Sequence, residues 1–115
     1  MPLSDAGKTT AAEAVGDAYT WLALHDGQNG DAEMSGGGYT RIQYSPGAGA
    51  AGVVAIPATG PFNVPSGASV SRFSIWTLQS GGVSGGDEAL DTPTGIYAAD
   101  GEFNFTGGSI TATST

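Results

Sequence analysis

The sequence predicts a mainly β protein: an antiparallel β-sandwich or barrel, jelly-roll-like, with one short N-terminal helix. Three features predict it: short apolar runs, frequent Gly, Pro and Asn-Gly turn signals between them, and helical periodicity confined to one N-terminal stretch. With 115 residues, 39% of them hydrophobic, the chain is long enough for one core. We therefore expect a single domain over residues 1–115, with a helical segment at 1–18 and strands and loops at 19–115.

The helical pattern lies in residues 10–18 and forms one narrow apolar stripe. Its members, at the i, i+3, i+4, i+7 spacing, are Ala11, Ala14, Val15 and Ala18. Two starts compete. Ser4 is a favourable N-cap, and Asp5, which follows it, would lie near the positive end of the helix. Alternatively, Thr10 and Glu13 fit a capping box. Either way, we expect a short helix that packs on a sheet.

Residues 19–25 are predicted to form the first strand. Tyr19, Trp21 and Ala23 alternate with Leu22 and Leu24, so both faces of the strand are apolar. This pattern is typical of a central strand covered on both sides. The helix is the candidate cover for one face.

The remaining strands are short and bounded by turn residues. They are predicted at residues 39–44, 52–56, 61–64, 70–78, 101–105 and 109–113. In two of them apolar residues occupy alternate positions: Phe73 and Ile75, then Phe103 and Phe105, as in half-buried strands. Two stretches, 25–38 and 81–95, are rich in glycine and are predicted to be loops, the first of them a contact loop.

The charge balance excludes some partners. The chain has 3 Lys+Arg against 11 Asp+Glu and a net charge of −8. Nucleic acids and anionic membranes both call for clustered basic residues, so we expect neither as a partner. Charged residues make up only 12% of the chain, roughly half the usual share, which is typical of a protein that works docked to another surface.

The sequence lacks cysteine, which excludes disulfides, thiolate metal sites and a thiol nucleophile. We see no signal-peptide pattern and no apolar run approaching the ~20 residues of a membrane span. Many small secreted domains rely on disulfides, so the lack of cysteine favours assembly in a cytoplasm, or stability borrowed from neighbouring subunits.

We predict no enzyme activity and no catalytic, cofactor-binding or metal-binding residues. A Ser-His-Asp triad would have to form around His25, the one histidine. Residues 82–86 match Gly-x-Ser-x-Gly in letters, but Ser84 lies in a turn or strand context and lacks the strand-to-helix turn of a nucleophile elbow. We therefore interpret His25 as a turn residue at a strand end. Paired carboxylates of a glycosidase and a phosphate-binding loop lack supporting motifs as well.

The acidic residues 26–33 raise the possibility of a calcium loop, but Gln28 and Gly30 depart from the EF-hand template. A solvated turn is the preferred interpretation, and a non-standard calcium loop stays open. The acidic cluster of Asp87, Glu88 and Asp91 is also expected to be solvated.

Most aromatic residues fall inside predicted strands, where packing in the core is the commoner role. They are Tyr19, Trp21, Tyr39, Phe62, Phe73, Trp76, Phe103 and Phe105. The alternative is a carbohydrate-stacking platform, which would require these rings to be exposed.

Five segments occur in a distinctive order: residues 4–8 (SDAGK), 21–27 (WLALHDG), 33–41 (EMSGGGYTR), 62–70 (FNVPSGASV) and 73–76 (FSIW). Together they resemble a group of small virion proteins of actinobacterial tailed phages. Members of that group are labelled tail-fibre, minor tail, head-decoration or minor capsid proteins. The resemblance covers about residues 1–80 and implies a virion structural protein without catalytic residues.

We expect a protein that decorates and stabilises the capsid exterior, with the major capsid protein as its partner and with self-association, as a homotrimer. The alternative is a minor tail or tail-fibre component that contacts tail proteins and has a carbohydrate-binding face. Long coiled or repetitive segments, which fibre proteins use to trimerise, are missing, and this favours the head. The expected location is the virion, on the head exterior, after synthesis in the host cytoplasm.

Overall fold

The structure, a computed structural model, describes residues 2–112. Within that range the chain forms one helix and nine strands. In chain order they are α1 (Asp5–Ala18), β1 (Trp21–Asp26), β2 (Ala32–Glu33), β3 (Ile42–Gln43), β4 (Val53–Ile56), β5 (Thr59–Val64), β6 (Val70–Trp76), β7 (Ser84–Ala89), β8 (Gly101–Phe105) and β9 (Gly108–Thr111).

All strand pairs are antiparallel, and the sheet curls into a half-barrel. Strands hold 39% of the residues and the helix 13%, so the prediction of a mainly β fold with one N-terminal helix is confirmed. The largest sheet has the order β2-β1-β6-β7, with β3 also paired to β1, and two further ladders join β4 to β9 and β5 to β8.

Strand β1 is central, as predicted. It pairs with β6 along one edge and with β2 and β3 along the other. Leu22 lies opposite Ile75 and Leu24 opposite Phe73, and these four side chains enter the core. Ala23, which points to the other face, is fully buried too.

The helix begins where Ser4 caps it. The Ser4 hydroxyl accepts a hydrogen bond from Gly7 N at 3.1 Å, which satisfies one of the free N–H groups of the first turn. Thr10 lies inside the helix, so the competing capping box at Thr10 is wrong.

The buried face of α1 differs from the predicted stripe. Its buried residues are Ala12 and Gly16, whereas Ala14 and Ala18 are exposed. The physical reason is a close approach: a Cβ on Gly16 would lie 3.1 Å from the Cβ of Pro46. The helix packs against β4 and β9, and not against β1 as the sequence suggested.

Two predicted loops contain strands. Residues 81–95 include β7, an edge strand whose six residues are all exposed; without an apolar alternation, nothing in its sequence indicated a strand. Residues 25–38 include β2, which returns along β1 as a tight hairpin and places Glu33 opposite His25. Conversely, the predicted strand at 39–44 is reduced to the two residues of β3. The end of the predicted strand at 109–113 lies outside the described residues.

The core fills the hollow of the half-barrel. Phe73 and Phe105 are in contact near its centre, with ring centroids 4.8 Å apart. The largest fully buried side chains of this core are those of Phe62, Phe105, Leu22, Leu24, Ile56, Val64 and Val70.

Candidate functional site

The face of the main sheet that points away from the core carries most of the polar side chains that could do chemistry. We call it the outer face and define it by Trp21, His25, Ser74 and Trp76, which alternate along β1 and β6 with the core residues. Glu33 on β2 adjoins it, and the loop that follows β2 folds back over it.

Arg41 is the centre of this face. Its guanidinium donates to both carboxylate oxygens of Glu33, from Nε to Oε2 at 2.8 Å and from Nη2 to Oε1 at 2.7 Å. Its Nη1 donates to the carbonyl oxygens of Leu78 (2.9 Å) and Gly81 (2.7 Å). The guanidinium carbon lies 4.0 Å from the ring centroid of Trp76, a cation–π distance. With only 7% of its surface exposed, this cation is buried and paired.

Tyr39 extends the same network. Its hydroxyl donates to Glu33 Oε2 at 3.0 Å and accepts from Leu24 N at 2.9 Å. Glu33 therefore receives hydrogen bonds from the side chains of Tyr39 and Arg41. These bonds hold the loop that follows β2 over the sheet. We call the set of Glu33, Tyr39, Arg41 and Trp76 the arginine clamp.

The pKa values of the clamp follow from these contacts. Burial alone would raise the pKa of the Glu33 carboxyl, but hydrogen bonds from Arg41 and Tyr39 and the charge of Arg41 outweigh burial and hold that pKa below its ordinary value. The hydrogen bond to Glu33 raises the pKa of Arg41. Burial raises the pKa of the Tyr39 hydroxyl well above its ordinary value. The ion pair is therefore charged, and the phenol neutral, at neutral pH.

The loop that carries Tyr39 and Arg41 is also held by contacts with residues 62–65. Gly37 has a φ of 62°, and a Cβ on it would lie 2.6 Å from Cα of Pro65, so a side chain cannot fit there. Tyr39 stacks on Phe62, with centroids 6.4 Å apart, and Asn63 Nδ2 donates to the Gly38 carbonyl at 3.3 Å. Segments 33–41 and 62–70, which were both part of the resemblance, thus pack directly on each other.

His25 forms a chain of hydrogen bonds with Ser74 and Trp76. Its Nδ1 lies 2.8 Å from the carbonyl oxygen of Asp31, which can only accept, so Nδ1 of the neutral ring holds the proton. Ser74 Oγ then donates to Nε2 at 2.7 Å and accepts from Trp76 Nε1 at 2.7 Å. His25 is therefore more than a turn residue.

The Ser74–His25 distance is that of a nucleophile and its base, but the surroundings differ from those of a hydrolase. Ser74 is 1% exposed, so a substrate carbonyl has no approach to its hydroxyl. Asp31 presents a backbone carbonyl to the ring, and its own carboxylate accepts from Ser71 Oγ at 2.7 Å. The arrangement stabilises the packing of β1 on β6.

The acidic residues 26–33 are bonded within the protein. Asp26 Oδ1 accepts from the backbone N–H groups of Gln28 (2.8 Å) and Ser69 (3.2 Å), Asp31 accepts from Ser71, and Glu33 is held by Arg41. Within residues 2–112, no group of three or more Asp, Glu or His side chains is placed to hold a metal ion.

The second acidic cluster is on β7 and the loop after it. Asp87 accepts from Arg72 Nε at 2.8 Å in a surface ion pair, and half of its side chain is exposed. Glu88 and Asp91 are exposed.

The aromatic residues divide between core and outer face. Phe62, Phe73 and Phe105 are buried, as predicted. The two tryptophans are only half-buried and lie opposite each other on β1 and β6. Arg41 occupies one face of the Trp76 ring, so a sugar could not stack on that face.

Comparison with protein-family models, with curated proteins and with solved structures found no match to this chain. Across the part of the chain that the structure describes, no helix is both long and apolar enough to cross a membrane.

Proposed function

We propose that this chain is a non-enzymatic structural protein of a tailed-phage particle, which decorates and stabilises the capsid exterior. The observation that carries the proposal is the arginine clamp: its carboxylate, guanidinium and phenol are used to join segments of the fold. Four of the five segments that resemble small virion proteins, residues 21–27, 33–41, 62–70 and 73–76, meet there. In this proposal these segments build a scaffold, and no catalytic role is assigned to them.

The surface properties support a docking role. With a net charge of −8 and few charged residues, the protein meets its partner mainly through small, uncharged side chains. The molecule is elongated, with extents of 49 × 23 × 21 Å, so one long side can contact a partner surface. The partner in this proposal is the major capsid protein, with the chain self-associated as a homotrimer around a symmetry axis of the head.

The proposal is tested by mixing the purified chain with tailless phage heads, pelleting the heads and quantifying the bound chain. We expect saturation at a copy number on the order of hundreds per head, because each repeated capsid site takes a copy. Each copy should bury roughly 1,000 Å² or more of surface. Because this contact depends little on charge, binding should persist at high salt. The heat-unfolded chain is the control.

Binding that is confined to tailed particles, at a handful of copies, would contradict capsid decoration. It would support the alternative, a minor tail or tail-fibre component.

A further inference from the structure

The turn between β1 and β2 carries an Asn-Gly pair at the surface. Asn29, Gly30 and Asp31 are all exposed. Ala32 N donates to the carbonyl oxygen of Asn29 at 3.2 Å, which closes a four-residue turn. Its two central residues, Gly30 and Asp31, have φ angles of 63° and 59°, as in a type I′ turn. The turn therefore presents both the side chain of Asn29 and the backbone of Gly30 to water.

Neither of the two groups that could react in this pair has a partner. Among the hydrogen bonds within residues 2–112, none involves the side-chain amide of Asn29 or the N–H of Gly30. A Cβ placed on Gly30 would meet nothing within 4 Å, so no neighbouring group covers this residue. Glycine also has no side chain to obstruct an approach to its own nitrogen. Gly30 N can therefore reach the side-chain carbon of Asn29 without breaking a hydrogen bond of the fold.

A second acid-glycine pair in the same turn, Asp26-Gly27, differs because both of its corresponding groups are bonded. Gly27 N donates to Ser69 O at 3.0 Å. Asp26 Oδ1 accepts from the N–H groups of Gln28 at 2.8 Å and Ser69 at 3.2 Å. The fold thus holds one of the two pairs in place and leaves the other open to reaction.

The two other asparagines of the chain are held in strands. Asn63 lies in β5 and donates from Nδ2 to the Gly38 carbonyl at 3.3 Å, and Asn104 lies in β8. Each is followed by a bulky buried residue, Val64 or Phe105. Ring closure at either asparagine would distort a strand and displace a core side chain, whereas at Asn29 it requires only a local movement of the turn.

We propose that Asn29 is a site of spontaneous covalent modification, where the folded chain converts this asparagine to aspartate and isoaspartate. The backbone nitrogen of Gly30 attacks Cγ of Asn29 and forms a succinimide ring. The Cγ–Nδ2 bond breaks, and Nδ2 leaves as ammonia with the proton that Gly30 N gives up. This inference concerns the turn alone and stands apart from the virion proposal.

Water then opens the ring at one of its two carbonyl carbons and returns a proton to the nitrogen. Opening at Cγ gives aspartate with an ordinary main chain. Opening at the backbone carbonyl carbon of residue 29 gives isoaspartate, in which Gly30 N stays bonded to Cγ. Neither step changes an oxidation state, and water is the only co-reactant.

Isoaspartate at position 29 changes the turn itself. It adds one carbon to the main chain and makes the carbonyl that accepts from Ala32 N part of a carboxylate outside the main chain. The turn positions Asp31, whose carbonyl oxygen lies 2.8 Å from His25 Nδ1 and whose carboxylate accepts from Ser71 Oγ. Conversion should therefore weaken the hold of the turn on His25 and lower the stability of the fold.

The test is to incubate the folded full chain in mildly alkaline buffer and to follow each asparagine by peptide mapping with mass spectrometry. We expect first-order loss of Asn29, at least tenfold faster than the loss of Asn63 or Asn104. A protein isoaspartyl methyltransferase should label the product. In a parallel incubation in urea, Asn29 should react within fivefold of its rate in the folded chain, because the turn leaves it open.

Variants of the chain locate the reaction. Asn29→Gln should slow the gain of negative charge, followed by anion exchange, at least tenfold, because the longer side chain has to close a six-membered ring. Asn63→Gln makes the same change in β5 and should leave the rate within twofold. After incubation, the unsubstituted chain should unfold at a lower urea concentration than before, whereas Asn29→Gln should keep its midpoint.

Several results would overturn the proposal. Equal rates at the three asparagines of the folded chain would remove the role of the turn, and so would a rate at Asn29 that urea raises more than fivefold. Aspartate without isoaspartate would mean direct hydrolysis of the amide and would refute ring closure. An unchanged urea midpoint after complete conversion would refute the link between the turn and His25.

Discussion

Glu33→Ala and Asp87→Ala each remove the acid of an ion pair, and we expect very different losses of stability. The two pairs have nearly equal lengths, 2.7 Å for Glu33–Arg41 and 2.8 Å for Asp87–Arg72. Their burial differs: the side chains of Arg41 and Glu33 are 6% and 27% exposed, against 33% and 50% for Arg72 and Asp87. Burial should therefore decide the outcome.

The size of the stability loss for Glu33→Ala depends on the contacts that Arg41 retains in the variant. Removing one partner of a fully buried pair costs about 3–5 kcal/mol, because the other charge stays buried and uncompensated. Arg41 retains the carbonyls of Leu78 and Gly81 and its contact with Trp76, and Glu33 is partly exposed. We therefore expect Glu33→Ala to cost about 2–3 kcal/mol, and Asp87→Ala, at the surface, less than about 1 kcal/mol.

The assay is urea unfolding followed by tryptophan fluorescence, which reports on Trp76 beside Arg41. A pH series adds a second readout. The pKa of Glu33 is lowered in the folded protein from 4.5, so its contribution to stability is fully present above the unfolded pKa and is lost as the pH falls through the folded one. Glu33→Gln should reduce this acid-side loss. Equal, small losses for both alanine variants would refute the idea that the clamp holds the fold together.

The other predictions concern the core, metal and alkaline pH. Phe73→Ala should cost ~3–5 kcal/mol in urea unfolding, against less than about 1 kcal/mol for the exposed Val53→Ala; equal losses would misplace β6. Calorimetry with EDTA should give an unchanged Tm, because the carboxylates of residues 26–33 are bonded internally; a drop that calcium restores would establish a binding loop. Burial raises the pKa of Tyr44 to about 12, so its stabilising effect, present below the unfolded pKa of about 10, is lost as the pH rises towards the folded value. Absorbance at 295 nm should show delayed ionisation that Tyr44→Phe reduces, and titration of all tyrosines near pH 10 would contradict it.

The central strand was predictable because its residues carry their own signal. Leu22 and Leu24 alternate with Trp21 and Ala23, and this alternation fixes two covered faces before any partner is known. Strand β7 has no such signal, because Ser84–Ala89 is an exposed edge whose conformation is set by its ladder with β6. The helix was also only partly predictable. Ser4 could be identified as its cap, but its buried face could not, because that face includes a glycine, Gly16, and lacks an apolar stripe.

The arginine clamp was not predicted from the sequence, because its contacts join residues of separate segments. Segment 33–41 stood out in the resemblance, yet the pairing of Glu33 with Arg41 depends on a loop that glycines fold back on Pro65. Ser74 and His25 are 49 residues apart and meet through the register of β1 and β6. The alternation in residues 70–78, combined with a β1–β6 pairing, is the signal that would have placed Ser74 beside His25.

The most direct test of the virion proposal is electron cryomicroscopy of the intact phage particle with this chain carrying a visible tag. Capsid decoration predicts tag density at repeated positions over the whole head exterior, on the order of hundreds of copies. Density on the tail alone, at a handful of copies, or none on the particle, would contradict it.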